Sequence, residues 1–69
     1  MQVNYSIDLW ERGGAFFVSV HVEGEQAHEV GPMPDRATAE RVQNETAAKV
    51  RTLIEGKGRV ARQYTKTPT

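Results

Sequence analysis

No cysteine occurs in this chain. That absence removes disulfide cross-links, zinc-finger and iron-sulfur ligation, and thiol catalysis together. Nor does any stretch approach the roughly 20 apolar residues needed to cross a bilayer. The start, Met-Gln-Val-Asn-Tyr-Ser, has neither the basic segment nor the apolar run of a secretory signal. The expectation is a cytoplasmic protein without membrane contact. A chain of 69 residues has room for one small core, because domains of this size bury only about 60% of the surface exposed by the unfolded chain. With disulfides excluded, self-association is the expected support, in the form of a homodimer.

Cations are scarce at the front of the chain and acids are absent from its end. Asp8, Glu11, Glu23, Glu25, Glu29 and Asp35 stand against Arg12 alone in residues 1–35, whereas residues 56–69 hold Lys57, Arg59, Arg62 and Lys66 with no acid. The formal net charge of zero therefore conceals an acidic first half and a basic tail.

What is present is strong alternation. Val3, Tyr5, Ile7 and Leu9 alternate with Asn4, Ser6, Asp8 and Trp10, and Phe16, Val18, Val20 and Val22 alternate with Phe17, Ser19 and His21. This period of two predicts a pair of half-buried strands. Gly13-Gly14 between them suits a two-residue type I′ or II′ turn, which needs positive φ. With those two glycines as the loop, Leu9 falls opposite Val18, Ile7 opposite Val20 and Tyr5 opposite Val22, so the apolar residues share one face. Trp10 then meets Phe17, Asp8 meets Ser19, and Ser6 meets His21 on the other.

A turn at Glu23-Gly24-Glu25-Gln26 leads to a short third strand near residues 27–31, with Val30 joining the apolar face beside Val20. Gly31-Pro32-Met33-Pro34 is expected to break the sheet. Asp35 is positioned as N-cap for a helix from Arg36 to Glu55, whose stripe comprises Ala39, Val42, Thr46, Val50, Leu53 and Ile54. Glu45 and Lys49 suit an i, i+4 ion pair, and Gly56 suits the position past the helix end. The predicted fold is α+β: a three-stranded antiparallel meander packed against one C-terminal amphipathic helix. Residues 1–56 form the domain and residues 57–69 a flexible basic tail. The alternation of Val60, Arg62, Tyr64 and Lys66 leaves a late edge strand as the alternative for that tail.

Ser6, Asp8, Ser19 and His21 share the open face and include the residue types of nucleophilic catalysis. A flat open sheet supplies no pocket to exclude water and no evident oxyanion donors, so no catalytic residues are assigned and no enzyme is expected. His21, Glu23 and His28 flank the second turn, but no metal or cofactor is assigned to them. Neither Gly13-Gly14 nor Gly56-Lys57-Gly58 has phosphate-loop spacing. Trp10 and Phe17, with Asp8, Glu11 and His21 around them, form the candidate protein-binding group, since exposed aromatics with a polar rim are the usual anchors of interfaces. A cross-strand aromatic pair that merely steadies the hairpin is the alternative.

Three strands followed by a helix, with Val30-Gly31-Pro32-Met33-Pro34-Asp35-Arg36-Ala37-Thr38-Ala39-Glu40 at the junction, resembles the plan of the plant ethylene-response-factor domain and of the phage integrase arm-binding domain. The resemblance spans roughly residues 5–55 and implies a sheet that reads DNA. Here the corresponding face carries Trp10, Phe17 and His21 with Arg12 as its one cation, whereas phosphate attraction dominates DNA affinity. A small, acidic-faced chain also resembles, in scale and style, the inhibitors that phages and mobile elements use against host enzymes, including anti-CRISPR proteins. The leading expectation is a non-enzymatic protein-binding module, an inhibitor or regulator acting by surface occlusion. The alternative is a nucleic-acid binder led by Arg59, Arg62, Tyr64 and Lys66.

Overall fold

In the computed structural model, residues 1–64 are described. The element order is β1 (Gln2–Arg12), β2 (Ala15–Val22), β3 (His28–Met33), α1 (Arg36–Gly56) and β4 (Val60–Gln63). The turn between β1 and β2 has Gly13 at φ 59° and Gly14 at φ 81°, the two consecutive positive values that a type I′ hairpin demands. Its register pairs Tyr5 with Val22, Ile7 with Val20, Leu9 with Val18, and Trp10 with Phe17, as the turn chemistry predicts.

The sheet has four strands in the order β3-β2-β1-β4. The three-stranded antiparallel meander is thus one strand short, because Val60–Gln63 lies parallel to β1 with Val60 beside Gln2 and Gln63 beside Tyr5. The first part of the tail belongs to the sheet, where Ala61 is buried against the core. The pairing follows from geometry. The first residues of β1 are vacant on the side away from β2, and a helix returning along the sheet delivers the chain to that side.

Gly31 and Pro32, expected to break the sheet, instead lie within β3. Phe16 stands opposite Met33 and Val18 opposite Val30, so two steps along β2 match three along β3, a bulge at Gly31-Pro32. Pro32 is tolerated because β3 is an edge strand. Gly31 is required: its φ is 138°, and a Cβ there would lie 2.8 Å from Phe17 Cδ1 and 2.9 Å from the Phe16 carbonyl oxygen. On the turn side of the bulge the register is regular, His28 opposite Val20, so Val30 stands opposite Val18 rather than beside the expected Val20 and remains 40% exposed.

Asp35 caps α1, its Oδ1 accepting the Thr38 N–H at 2.7 Å. This bond to the charged form holds the Asp35 carboxyl below its ordinary value. At the other end Gly56 is the last helical residue rather than the one beyond it. The positive φ falls at Gly58, 76°, whose N–H reaches the Glu55 carbonyl at 3.0 Å while the Arg59 N–H reaches that of Ile54 at 3.3 Å. These bonds satisfy carbonyls that the helix end leaves unpaired. The ion pair on the helix is Arg51 to Glu55, 3.5 Å; Glu45 and Lys49 form none.

Val3, Tyr5, Ile7, Val18, Val20, Met33, Ala39, Ile54 and Ala61 form the core. Leu9 and Val22, assigned to it from the pattern, are half-buried. The helical stripe holds at Ala39 and Ile54, but Leu53 is 66% exposed. The cause lies in the topology. β3 and β4 run parallel at opposite edges, so α1 must cross the whole sheet between them and touches all four strands. A helix laid diagonally leaves two corners of the sheet uncovered.

Gly31→Ala is expected to destabilise the fold by about 1–3 kcal/mol in urea unfolding, because the added methyl meets backbone and the φ is strained. Asp35→Ala is expected to lower the thermal midpoint at neutral pH. A carboxyl whose folded pKa is depressed contributes stability above its unfolded value, near 3.8, and loses it as pH falls through the lower folded one. The deficit of the variant should therefore shrink in acid, and Asp35→Asn, which keeps a neutral cap, should show a smaller deficit at neutral pH that diminishes over the same acid range.

Candidate functional site

Even-numbered residues of β1 face away from the helix, and the hairpin register joins them to Phe17, Ser19 and His21 of β2. No element of the described chain packs on this side. Across it runs an aromatic row. Trp10 and Phe17 stack with centroids 4.5 Å apart and planes 18° from parallel, and Phe17 leans in turn on Gly31, whose missing Cβ makes the room. The Trp10 indole N–H donates to Ser19 Oγ at 2.7 Å, fixing the ring in its stack. Both rings are half-buried, so the pair steadies the hairpin and presents its remaining surface to solvent.

Asp8 and His21 share this face, and Arg12 lies at its hairpin end. Glu11, grouped with them from the sequence, does not: it stands opposite Phe16 on the helix side. The structure adds a contribution from β4. Arg62 pairs with Asn4, which carries it to the open face. The Tyr64 N–H bonds the Tyr5 carbonyl at 2.9 Å, and Tyr64 borders a shallow depression with Asp8, Trp10 and His21. The basic quartet is divided. Arg62 and Tyr64 join the aromatic row, Arg59 lines a cleft on the helix side, and Lys66 lies outside the described residues.

The polar residues of the open face are committed to one another. Ser6, almost fully buried, donates to Asp8 Oδ2 at 3.2 Å, and Ser19 serves the Trp10 indole. Among the described residues no hydrogen bond joins His21 to either serine, and no three His, Asp or Glu side chains converge as metal ligands.

The second notable feature is an edge. β4 covers β1 only from Gln2 to Tyr5. Beyond that, backbone groups of odd-numbered residues point away from β2. The Tyr5 carbonyl takes Tyr64, and the Ile7 carbonyl takes Nε2 of Gln43 from α1 at 2.9 Å. Leu9 and Glu11 have the same orientation by the period of the strand, and no described residue bonds their outward groups. Arg36, Glu40 and Gln43 of α1 border this edge on the helix side. Gln43 gave no sign of its role in the sequence, since a glutamine beside a helical stripe reads as solvent-facing.

The opposite corner left by the diagonal helix is an apolar cleft of about 270 Å³, lined by Val3, Val20 and Ile54 together with Glu23, Glu25, Lys57 and Arg59. Protein-family models, curated proteins and solved structures contain no match to this chain.

Trp10 is the only tryptophan, so its fluorescence reports the stack directly. Ser19→Ala removes the indole acceptor and is expected to cost about 0.5–1.5 kcal/mol, with a measurable shift in emission and no loss of the hairpin by NMR.

Proposed function

We propose that this chain is a non-enzymatic protein-binding module, a small inhibitor or regulator that occludes a surface of another protein with the open face of its sheet. The observation that carries the reading is the Trp10–Phe17 stack, held by the Trp10–Ser19 hydrogen bond on a sheet side that no element of the described residues covers. Rigid aromatics lose little conformational freedom on binding and anchor interfaces for that reason. Asp8, His21 and Arg12 beside it offer polar contacts of both signs, and the acidic first half of the chain favours a basic partner surface. The module works as a homodimer, since pairing compensates for a core of nine buried apolar side chains among the described residues.

One observation favours a second reading, a single-stranded nucleic-acid binder. Arg62 and Tyr64 of the β4 end supply a cation and a ring to the face that already bears Trp10, and stacking with a cation beside it is how such strands are held. The near balance of acids and bases on that face weighs against it.

Trp10→Ala and Phe17→Ala, each checked for retained circular dichroism, are expected to lose the partner that the immobilised parent captures from host lysate. Retention of the same protein by both variants would contradict the proposal. A salt-sensitive gel shift of a labelled oligonucleotide, abolished by Arg62→Glu, would favour the second reading instead.

A further inference from the structure

We infer that a second copy of this chain pairs antiparallel with the open edge of β1, Leu9 of each copy lying opposite Glu11 of the other. This deepens the homodimer proposed above and rests on the same sheet. The two edges of the sheet are built differently. β3 carries Pro32 and a bulge, devices that discourage strand addition. β1 between Ile7 and Arg12 has no proline, no lysine and no bulge, and its partner β4 stops at Gln63. The free stretch is bounded at one end by Gln43 on the Ile7 carbonyl and at the other by the Gly13-Gly14 turn. That leaves the outward groups of Leu9 and Glu11, two positions that a two-fold axis between them maps onto one another. Each Leu9–Glu11 pair exchanges two backbone hydrogen bonds.

A second copy is favoured over an arbitrary strand because the side chains on the open face match their own two-fold image. In this register Asp8 of each copy faces Arg12 of the other, giving opposite charges on both sides of the axis. Asp8 accepts from Ser6, but neither Asp8 nor Arg12 has an opposite charge as partner within the chain, whose only side-chain ion pair among the described residues is Arg51–Glu55. Trp10 faces Trp10, so the Trp10–Phe17 stack extends into a continuous aromatic band across both copies. Slipping the register by two residues one way sets Asp8 against Trp10 and loses both charge pairs. Slipping it the other way sets Glu11 against Glu11, a like-charge contact that opposes pairing. With zero formal net charge, no long-range repulsion separates the copies.

Charge reversal tests the register by sedimentation equilibrium. Asp8→Arg alone and Arg12→Asp alone each oppose like charges twice, and each should weaken self-association about tenfold or more. The double variant restores opposite charges and should regain the parental dimer. A mixture of the two single variants should form a one-to-one heterodimer. A monomeric parent, single variants that associate like the parent, or a mixture that stays monomeric would each overturn the inference. Self-association gained only on removing residues 65–69 would also overturn it. Glu11→Pro removes an outward N–H without touching the β2 ladder and should be monomeric. If that monomer still captures the partner protein, dimer pairing and the open-face reading are separable; if it dimerises like the parent, the edge is not the contact.

Discussion

Everything else in this molecule depends on the turn at Gly13 and Gly14. Two successive residues with φ of 59° and 81° are inexpensive only without a Cβ, and a two-residue loop of that shape permits one register. A slip of a single residue would turn the apolar set of one strand to the solvent side, either Tyr5, Ile7 and Leu9 or Val18 and Val20, while the other strand kept its face toward the core. The hairpin therefore decides which side the helix must cover and which residues remain outside. It also decides that odd-numbered residues of β1 aim their backbone groups away from β2, the condition for both the β4 pairing and the free edge beyond it.

The second constraint is the crossover. Because β3 and β4 are parallel and lie at opposite edges, one helix has to traverse the sheet. It covers the core diagonally, with Ala39 fully buried near its start and Ile54 buried near its end. One side of the sheet receives that helix and the other receives no element of the described residues. A short β4 then leaves the longest strand half paired. The open face and the open edge are consequences of the same economical topology, and they meet at Asp8, Trp10 and Arg12.

Local features were legible in the sequence where local chemistry decides them. The hairpin register, the Asp35 cap and the position of Trp10 against Phe17 follow from turn residues and alternation over a few positions. The bulge was not legible, because Pro32 ends a strand only where its missing N–H is needed, and the outer edge of β3 needs none. Nor was β4 secure. Val60–Gln63 buries only Ala61, too little pattern to announce a strand, and its partner lies nearly the whole chain away. Gly56 misled for a related reason: the helix runs on until Gly58 can take the positive φ. For the open face, the sequence located the aromatic row but placed Arg62 and Tyr64 in a separate tail, since only the parallel pairing with β1 brings them to the same surface. Glu11 was misplaced by nearness along the chain, although alternation already assigns it to the side of Leu9.

Amide hydrogen exchange at Leu9 and Glu11, followed by NMR over a range of protein concentrations, probes the free edge most directly. Rapid exchange at these two amides in dilute solution, with protection that rises as concentration increases while Asp8 and Trp10 stay protected throughout by β2, is the predicted result. Protection of Leu9 and Glu11 that is already complete in dilute solution, or that never appears at any concentration, would contradict it.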